Sequence, residues 1–242
     1  MTKRWWGLVL CCVTLCAAAQ NPKTYIHDRA KQYIPIILQE TKTYFPEGIE
    51  RAYVPALIEH ESCISLKHSR CWSPQSELKT SRERGVGLGQ ITKAFKADGS
   101  IRFDALAGLK AKYKQDLQEV TWDNVKYRPE LQIRMIILMV RDEYRGLYMV
   151  SDPYRRYQFA DSAYNGGRRD VLKARQVCGL AAQCDPQQWF DHTERYNVKS
   201  RKLLYGNRSA RDINNHHVRD VFETRLPKFR QYVAQLKGPP YE

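Results

Sequence analysis

Glu61 stands in the run His60-Glu61-Ser62-Cys63-Ile64, which begins like the zinc-protease pattern His-Glu-x-x-His. Position 64 is Ile, so the second imidazole is missing and the metal reading fails. What remains is a carboxyl group at the end of a short apolar segment. If Pro55 opens a helix there, Leu57 and Glu61 share one face at i, i+4, which turns the carboxyl toward the core. Apolar surroundings and the negative end of the helix dipole both disfavour the charged form, as a general acid working near neutral pH requires. A partly exposed surface acid on a short helix is the alternative that the spacing leaves open.

Two later fragments change the weight of that position. Glu61-Ser62 is followed by Gly85-Val86-Gly87-Leu88-Gly89-Gln90-Ile91 and then by Ala163-Tyr164-Asn165-Gly166-Gly167. Each fragment alone is weak, but the three in this order span about a hundred residues of the chain. The set resembles the lytic transglycosylases with the goose-lysozyme-like fold, which carry Glu-Ser at a helix end, a Gly-Leu-Met-Gln-type turn and Ala-Tyr-Asn-Ala-Gly.

The resemblance implies a role for each matching residue. Glu61 becomes the catalytic acid and base. Ser62 helps hold the site, unless it is an ordinary hydroxyl ending a helix. Gln90 contacts substrate near the scissile bond, or is a turn-stabilising amide. Tyr164 and Asn165 line the cleft, or are a core tyrosine and a capping residue ahead of two glycines. The family also places a tyrosine late in the chain near the acid. Here that area reads Asn214-Asn215-His216-His217-Val218, so His217 is the expected substitute and a substrate-binding residue, unless the His-His pair is an ordinary surface or capped helix end, with Tyr196, Tyr205 and Tyr232 as rivals. Gly89 departs from the usual Met, which removes an apolar contact to the sugar.

The implied reaction cuts peptidoglycan between N-acetylmuramic acid and N-acetylglucosamine and leaves a 1,6-anhydro end, with no cofactor and no metal. Hydrolytic glycosidases flank the bond with two acids. Asp98, Asp104 and Asp161 are available, but no motif assigns them a role. A transglycosylase needs one acid, because the sugar's own hydroxyl attacks and the carboxyl that first donates a proton then accepts one. A lysozyme-like hydrolase and a non-catalytic wall-binding assembly protein are the alternatives.

The elements that must position these residues read as helices. Pro35 can open one through Tyr44, and Pro55 another through Glu61. Leu131 to Leu147 is the most apolar segment and reads as the central buried helix. A helix carrying Tyr154, Tyr157, Ala160 and Tyr164 should stop at Gly166-Gly167, and another should run from Arg168 to Val177. The last should lie within Arg219 to Leu236, interrupted or restarted at Pro227. Strand signals are confined to the glycine-rich stretch from Ser81 to Ile91 and its polar neighbours. The expected fold is mainly α, in the α+β lysozyme-like sense, with a small irregular β-hairpin region.

Lys3 and Arg4, the apolar stretch from Trp5 to Leu15 and the small residues Ala17-Ala18-Ala19 read as a signal peptide over residues 1–19, leaving one domain over 20–242. Uncleaved, that leader would be the only membrane attachment. Four cysteines remain after it, Cys63, Cys71, Cys178 and Cys184, in two close pairs that suggest two short disulfide loops in an exported protein. Removing Lys3 and Arg4 lowers the net charge only from +14 to +12. Outside the cytoplasm such charge favours anionic wall or envelope polymers over nucleic acid. The expected partners are thus peptidoglycan strands and those polymers, met by a monomer in the periplasm or outside the cell.

Overall fold

The computed structural model describes residues 24–236; the leader and the expected mature start at Gln20 lie outside them. Helix α1 covers Asp28–Tyr44 and α2 covers Tyr53–Ser62. Strands β1 (Glu77–Lys79), β2 (Glu83–Val86), β3 (Ile91–Phe95) and β4 (Ile101–Asp104) follow. They form one antiparallel sheet in sequence order. Helices α3 (Ala105–Lys112), α4 (Pro129–Gly146), α5 (Pro153–Gly166) and α6 (Arg168–Leu180) complete the middle of the chain. A two-stranded ribbon, β5 (Leu203–Tyr205) and β6 (Arg208–Ser209), leads into α7 (Ala210–Arg219). A π-helical segment, Asp220–Arg225, then joins α7 to α8 (Leu226–Gln235). The fold is mainly α with a small β region, as expected.

The helices assemble around two apolar rods. On α4, Ile133, Ile136, Ile137 and Val140 are fully buried, and so are Met135 and Leu138 on the other side. That helix packs between α1 and α5. Helix α2 is buried from Tyr53 through Glu59 and packs on the π-helical segment and α8. Each such Leu or Ile contributes about 1.5–3 kcal/mol on leaving water, so the segment carrying Glu61 is anchored by the core.

Several boundaries differ from the sequence reading. Helix α1 begins seven residues before Pro35, because Ala30, Ile34, Ile37, Leu38 and Thr41 form a continuous buried face. Its cap is His27, whose Nδ1 accepts from the Arg29 amide at 3.1 Å. The last helix, α8, lies within Arg219 to Leu236 as expected, but the sequence reading has no counterpart of α7, which starts at Ala210. Ser209 and Asp212 form a reciprocal capping box there. Pro227 lies in the first turn of α8, so the last helix restarts there as expected, after a wide π-helical turn. The sheet extends well beyond Ser81 to Ile91, reaching from Glu77 to Asp104.

Both expected disulfides are present, Cys63–Cys71 and Cys178–Cys184. The first pins the connection after α2, together with Trp72, which is fully buried. No helix among the described residues is long and apolar enough to cross a membrane.

Candidate active site

Three stretches far apart in the sequence meet at one cleft of about 910 Å³. Its lining includes Glu61 and Ser62 from the end of α2, Gly85, Gly89 and Gln90 around the β2–β3 turn, and Ala163 to Gly167 from the end of α5. The β2–β3 turn is held from behind. Buried Gln132 on α4 accepts from the Leu88 amide at 2.8 Å and donates to the Val125 and Pro74 carbonyls. Gly87 has a φ of +80°, and a Cβ there would lie 2.2 Å from the Gln132 side chain. At Gly89 a Cβ would meet Ile136 at 2.4 Å. A methionine at Gly89 has no space with α4 packed this closely, a physical reason for that departure.

Glu61 itself is 14% exposed at its side chain. Its Oε1 lies 2.8 Å from His217 Nε2, and no other hydrogen bond to its carboxyl is formed among the described residues. His217 Nδ1 in turn lies 2.7 Å from Asp161 Oδ2. Asp161 Oδ1 accepts from the Tyr53 hydroxyl at 2.8 Å. Tyr53 and Asp161 are fully buried and His217 nearly so. Burial alone pulls the His217 imidazole down, but the Asp161 and Glu61 carboxylates outweigh it and push the pKa up to about 10. His217 is therefore a cation with both N–H groups donating. The purely apolar setting expected for Glu61 is absent, because a buried imidazolium stands against it.

A second imidazole lies beside the first. The His60 ring packs edge-on to His217 with centroids 4.2 Å apart. Its pKa is lowered, first by burial and then by the His217 charge, so it is neutral and its Nδ1–H donates to Asp220 Oδ2 at 2.6 Å. One histidine of the pair is held charged and the other uncharged.

The other sequence-singled residues fall in different places. His217 lies behind Glu61 and does not line the cleft, so the expected substrate contact is not offered by its buried ring. The Ser62 hydroxyl donates to the Ile58 carbonyl at 2.7 Å and accepts from the Trp72 amide at 3.2 Å, tying the pinned loop to α2. Gln90 has a φ of +45° and its Nε2 donates back to the Gly87 carbonyl. Tyr164 donates to the Gly89 carbonyl at 2.8 Å, linking the second and third fragments. Burial, then the charges of Glu61 and Asp161, push its phenol well above the usual value. Asn165 accepts from Asn214 of α7 at 2.9 Å.

Of the three rival acids, Asp98 sits in an exposed turn bonded to Ser100, outside the cleft lining. Asp161 is sealed beneath Glu61. Asp104 lines the cleft but caps α3, accepting from Ala107 at 2.9 Å, and also pairs with Trp122 and with Lys93. Burial raises its carboxyl, yet these partners together hold it below the usual range.

Sequence reasoning missed two features. Tyr53 and Asp161 complete the chain behind Glu61, although no spacing rule joins positions 108 residues apart. Glu143 of α4 also lines the cleft. Its Oε2 is enclosed without a hydrogen-bond partner, the nearest cation being Arg168 Nε at 3.5 Å. Burial, reinforced by Asp142, raises its carboxyl against the pull of Arg168 and Lys112. An acid embedded in the most apolar helical segment was the available signal. Among the described residues no group of three or more His, Cys, Asp or Glu side chains is arranged to hold a metal ion.

Compared with known proteins, the chain matches no family model and no curated sequence. The resemblance to lytic transglycosylases therefore rests on its three fragments.

Proposed function

We propose that the chain is an exported lytic transglycosylase of bacterial peptidoglycan. It cleaves the β-1,4 bond between N-acetylmuramic acid and N-acetylglucosamine, with Glu61 as acid and then base. The observation that carries this reading is the meeting of all three fragments around one cleft carboxyl whose Oε2 has no hydrogen-bond partner among the described residues. With Oε1 occupied by His217, a proton on Oε2 has only the cleft to go to. Transfer to the bridging oxygen breaks its bond to C1, and the C6 hydroxyl then closes on C1 while its proton returns to Glu61. Fixing that hydroxyl beside C1 replaces attack by water with a unimolecular step. No cofactor takes part.

The charge distribution fits a glycan in the cleft and polyanions elsewhere. Glu61, Glu77, Glu83, Asp104, Asp142 and Glu143 outnumber Arg70, Arg102 and Lys112 along the lining, although the chain as a whole carries +14. A nucleic acid would meet repulsion there, whereas an uncharged sugar backbone would not. The basic exterior suits anionic wall polymers. The two disulfides and the leader-like start favour export.

Incubation of the mature protein with purified sacculi tests the reading. Released fragments should be lighter by one water than their reducing-end counterparts and should resist borohydride. Glu61→Gln should abolish release while leaving the fold intact. Predominantly reducible ends would make the protein a hydrolase, and undiminished release by the variant would remove Glu61 from the reaction.

A further inference from the structure

We propose that His217 is the positioning residue for Glu61: seated on Asp161 and Tyr53, it commits Oε1 of the carboxyl and leaves Oε2 to the sugar. The inference rests on the transglycosylase reading of the cleft. It goes further by giving the buried chain of hydrogen bonds a job distinct from substrate contact.

The geometry is directional. Tyr53 donates to one oxygen of Asp161 at 2.8 Å, and His217 Nδ1–H donates to the other at 2.7 Å. Both Asp161 oxygens are thereby taken, which fixes the imidazole ring plane and aims Nε2–H at Glu61 Oε1, 2.8 Å away. A carboxyl with one oxygen held this way has a defined orientation for the other. The same bond also stabilises the carboxylate left once Glu61 has given up its proton, the moment when charge develops on it. The protons balance without His217 gaining or losing one. The Oε2–H bond breaks, the bridging oxygen keeps the electron pair of its broken bond to C1, the C6 oxygen bonds C1, and its proton restores Oε2–H.

The charged groups around His217 define its titration. Helix α2 presents Glu61, neutral His60 and Tyr53; α5 presents Asp161, with the Tyr164 phenol close to both carboxylates. On its own side of the chain lie His216 and Asp220, each reached through His60. Of these, Asp161 is the largest influence raising the imidazole pKa, and burial alone opposes it in sum. Removing the Asp161 charge should therefore let the imidazole lose its proton within the neutral range.

The test pairs a titration with kinetics. In the folded parent protein, imidazole NMR signals of His217 should report the doubly protonated ring until the pH nears about 10. In Asp161→Asn they should lose it below pH ~8. On sacculi, His217→Phe should lower kcat roughly 10²-fold with KM unchanged, the scale of losing one preorganised donor. His217→Gln, which restores an N–H, should recover part of that. Asp161→Asn should acquire an alkaline loss of kcat that tracks its own imidazole titration. A parent His217 that titrates near 6.5 overturns the proposal even if no variant folds. So does an active His217→Phe with parental kcat. A parent that releases nothing from sacculi overturns the transglycosylase reading and the positioning role with it, whereas the first two outcomes leave that reading intact.

Discussion

Helix α2 carries two carboxylates two residues apart, and they live in opposite worlds. Glu59 is 1% exposed and pairs with Lys228 Nζ at 2.6 Å and Arg225 at 3.1 Å, with the Trp72 indole N–H at 3.4 Å. Glu61 is 14% exposed, has one hydrogen-bond partner for its carboxyl among the described residues and borders the cleft. The π-helical segment serves both sides, since Arg225 binds Glu59 while Asp220 binds His60, the ring packed on His217. Two residues of separation turn a side chain by about 200° around the helix, which suffices to make one acid a buried structural ion and to turn the other to the cleft. Fixed cations saturate Glu59, whereas among the described residues one oxygen of Glu61 is left to the cleft, as the proposed reaction requires.

The sharpest way to break that comparison is to exchange the charges for amides. Glu61→Gln should eliminate wall cleavage and change unfolding free energy by less than about 0.5–1 kcal/mol. Glu59→Gln should leave buried Lys228 without its carboxylate, Arg225 keeping Asp220, and cost about 3 kcal/mol, read by urea denaturation. The folded fraction of that variant should cleave at the parental rate per molecule. A Glu59 variant that is stable but inactive would overturn the division of labour.

A second expected effect is the pH dependence of stability, where the two sides diverge in direction. The His217 pKa rises on folding from 6.5 to about 10. Its contribution is therefore fully present below pH 6.5 and is lost as pH rises toward about 10. Asp220 behaves oppositely. Burial raises its carboxyl, but His60 and Arg225 together hold it well below 3.8. Its contribution is present above pH 3.8 and fades as the pH falls below that. Denaturation midpoints should decline on both flanks, and His217→Gln should flatten only the alkaline one.

How much of this was legible depended on whether a signal was local. The fragments at Glu61, Gly85 to Ile91 and Ala163 to Gly167 could be read because glycines and a helix end carry their meaning in place. The stop of helix α5 at Gly166-Gly167 was legible in the same way. Helix α1 was cut short because a histidine cap is not among the usual signals and an internal proline reads as a start. The chain Tyr53–Asp161–His217–Glu61 was invisible, since each bond closes a separation of 56 residues or more. His217 was noticed for its position but misassigned to the substrate, because nothing in a sequence tells the front of a carboxyl from its back.

The disulfides offer a smaller effect that should separate the two regions again. Removing either bond should cost about 2–3 kcal/mol, given the short loops they close. Cys63–Cys71 joins the end of α2 to the strap carrying Trp72, whose indole reaches Glu59 and whose amide reaches Ser62. Replacing both cysteines by serine should therefore lower cleavage as well as stability. Cys178–Cys184 closes the end of α6, away from the cleft lining. Its removal should lower stability while leaving kcat within about twofold at temperatures where the variant stays folded. Equal losses of activity from both would deny the strap any role in placing Glu61.

The smallest expected effect concerns Glu143, which falls between Glu59 and Glu61. Only its Oε2 is enclosed, the side chain as a whole being 21% exposed; it borders the cleft like Glu61, yet it has neither the cations of Glu59 nor the imidazolium of Glu61. An enclosed oxygen without a hydrogen bond costs free energy, and burial raises the carboxyl above its ordinary 4.5. The sign follows from that direction. Both forms are protonated well below pH 4.5, so the native state carries no penalty there; as pH rises, the unfolded chain ionises more readily and stability falls. Glu143→Gln removes the ionisable group and keeps the shape. The variant should match the parent at pH 4 and exceed it by roughly 0.5–1 kcal/mol at pH 8, measured by denaturant unfolding at both values. A variant less stable than the parent at pH 8 would mean that the 3.5 Å approach of Arg168 already compensates the charge, which would group Glu143 with the saturated structural acids.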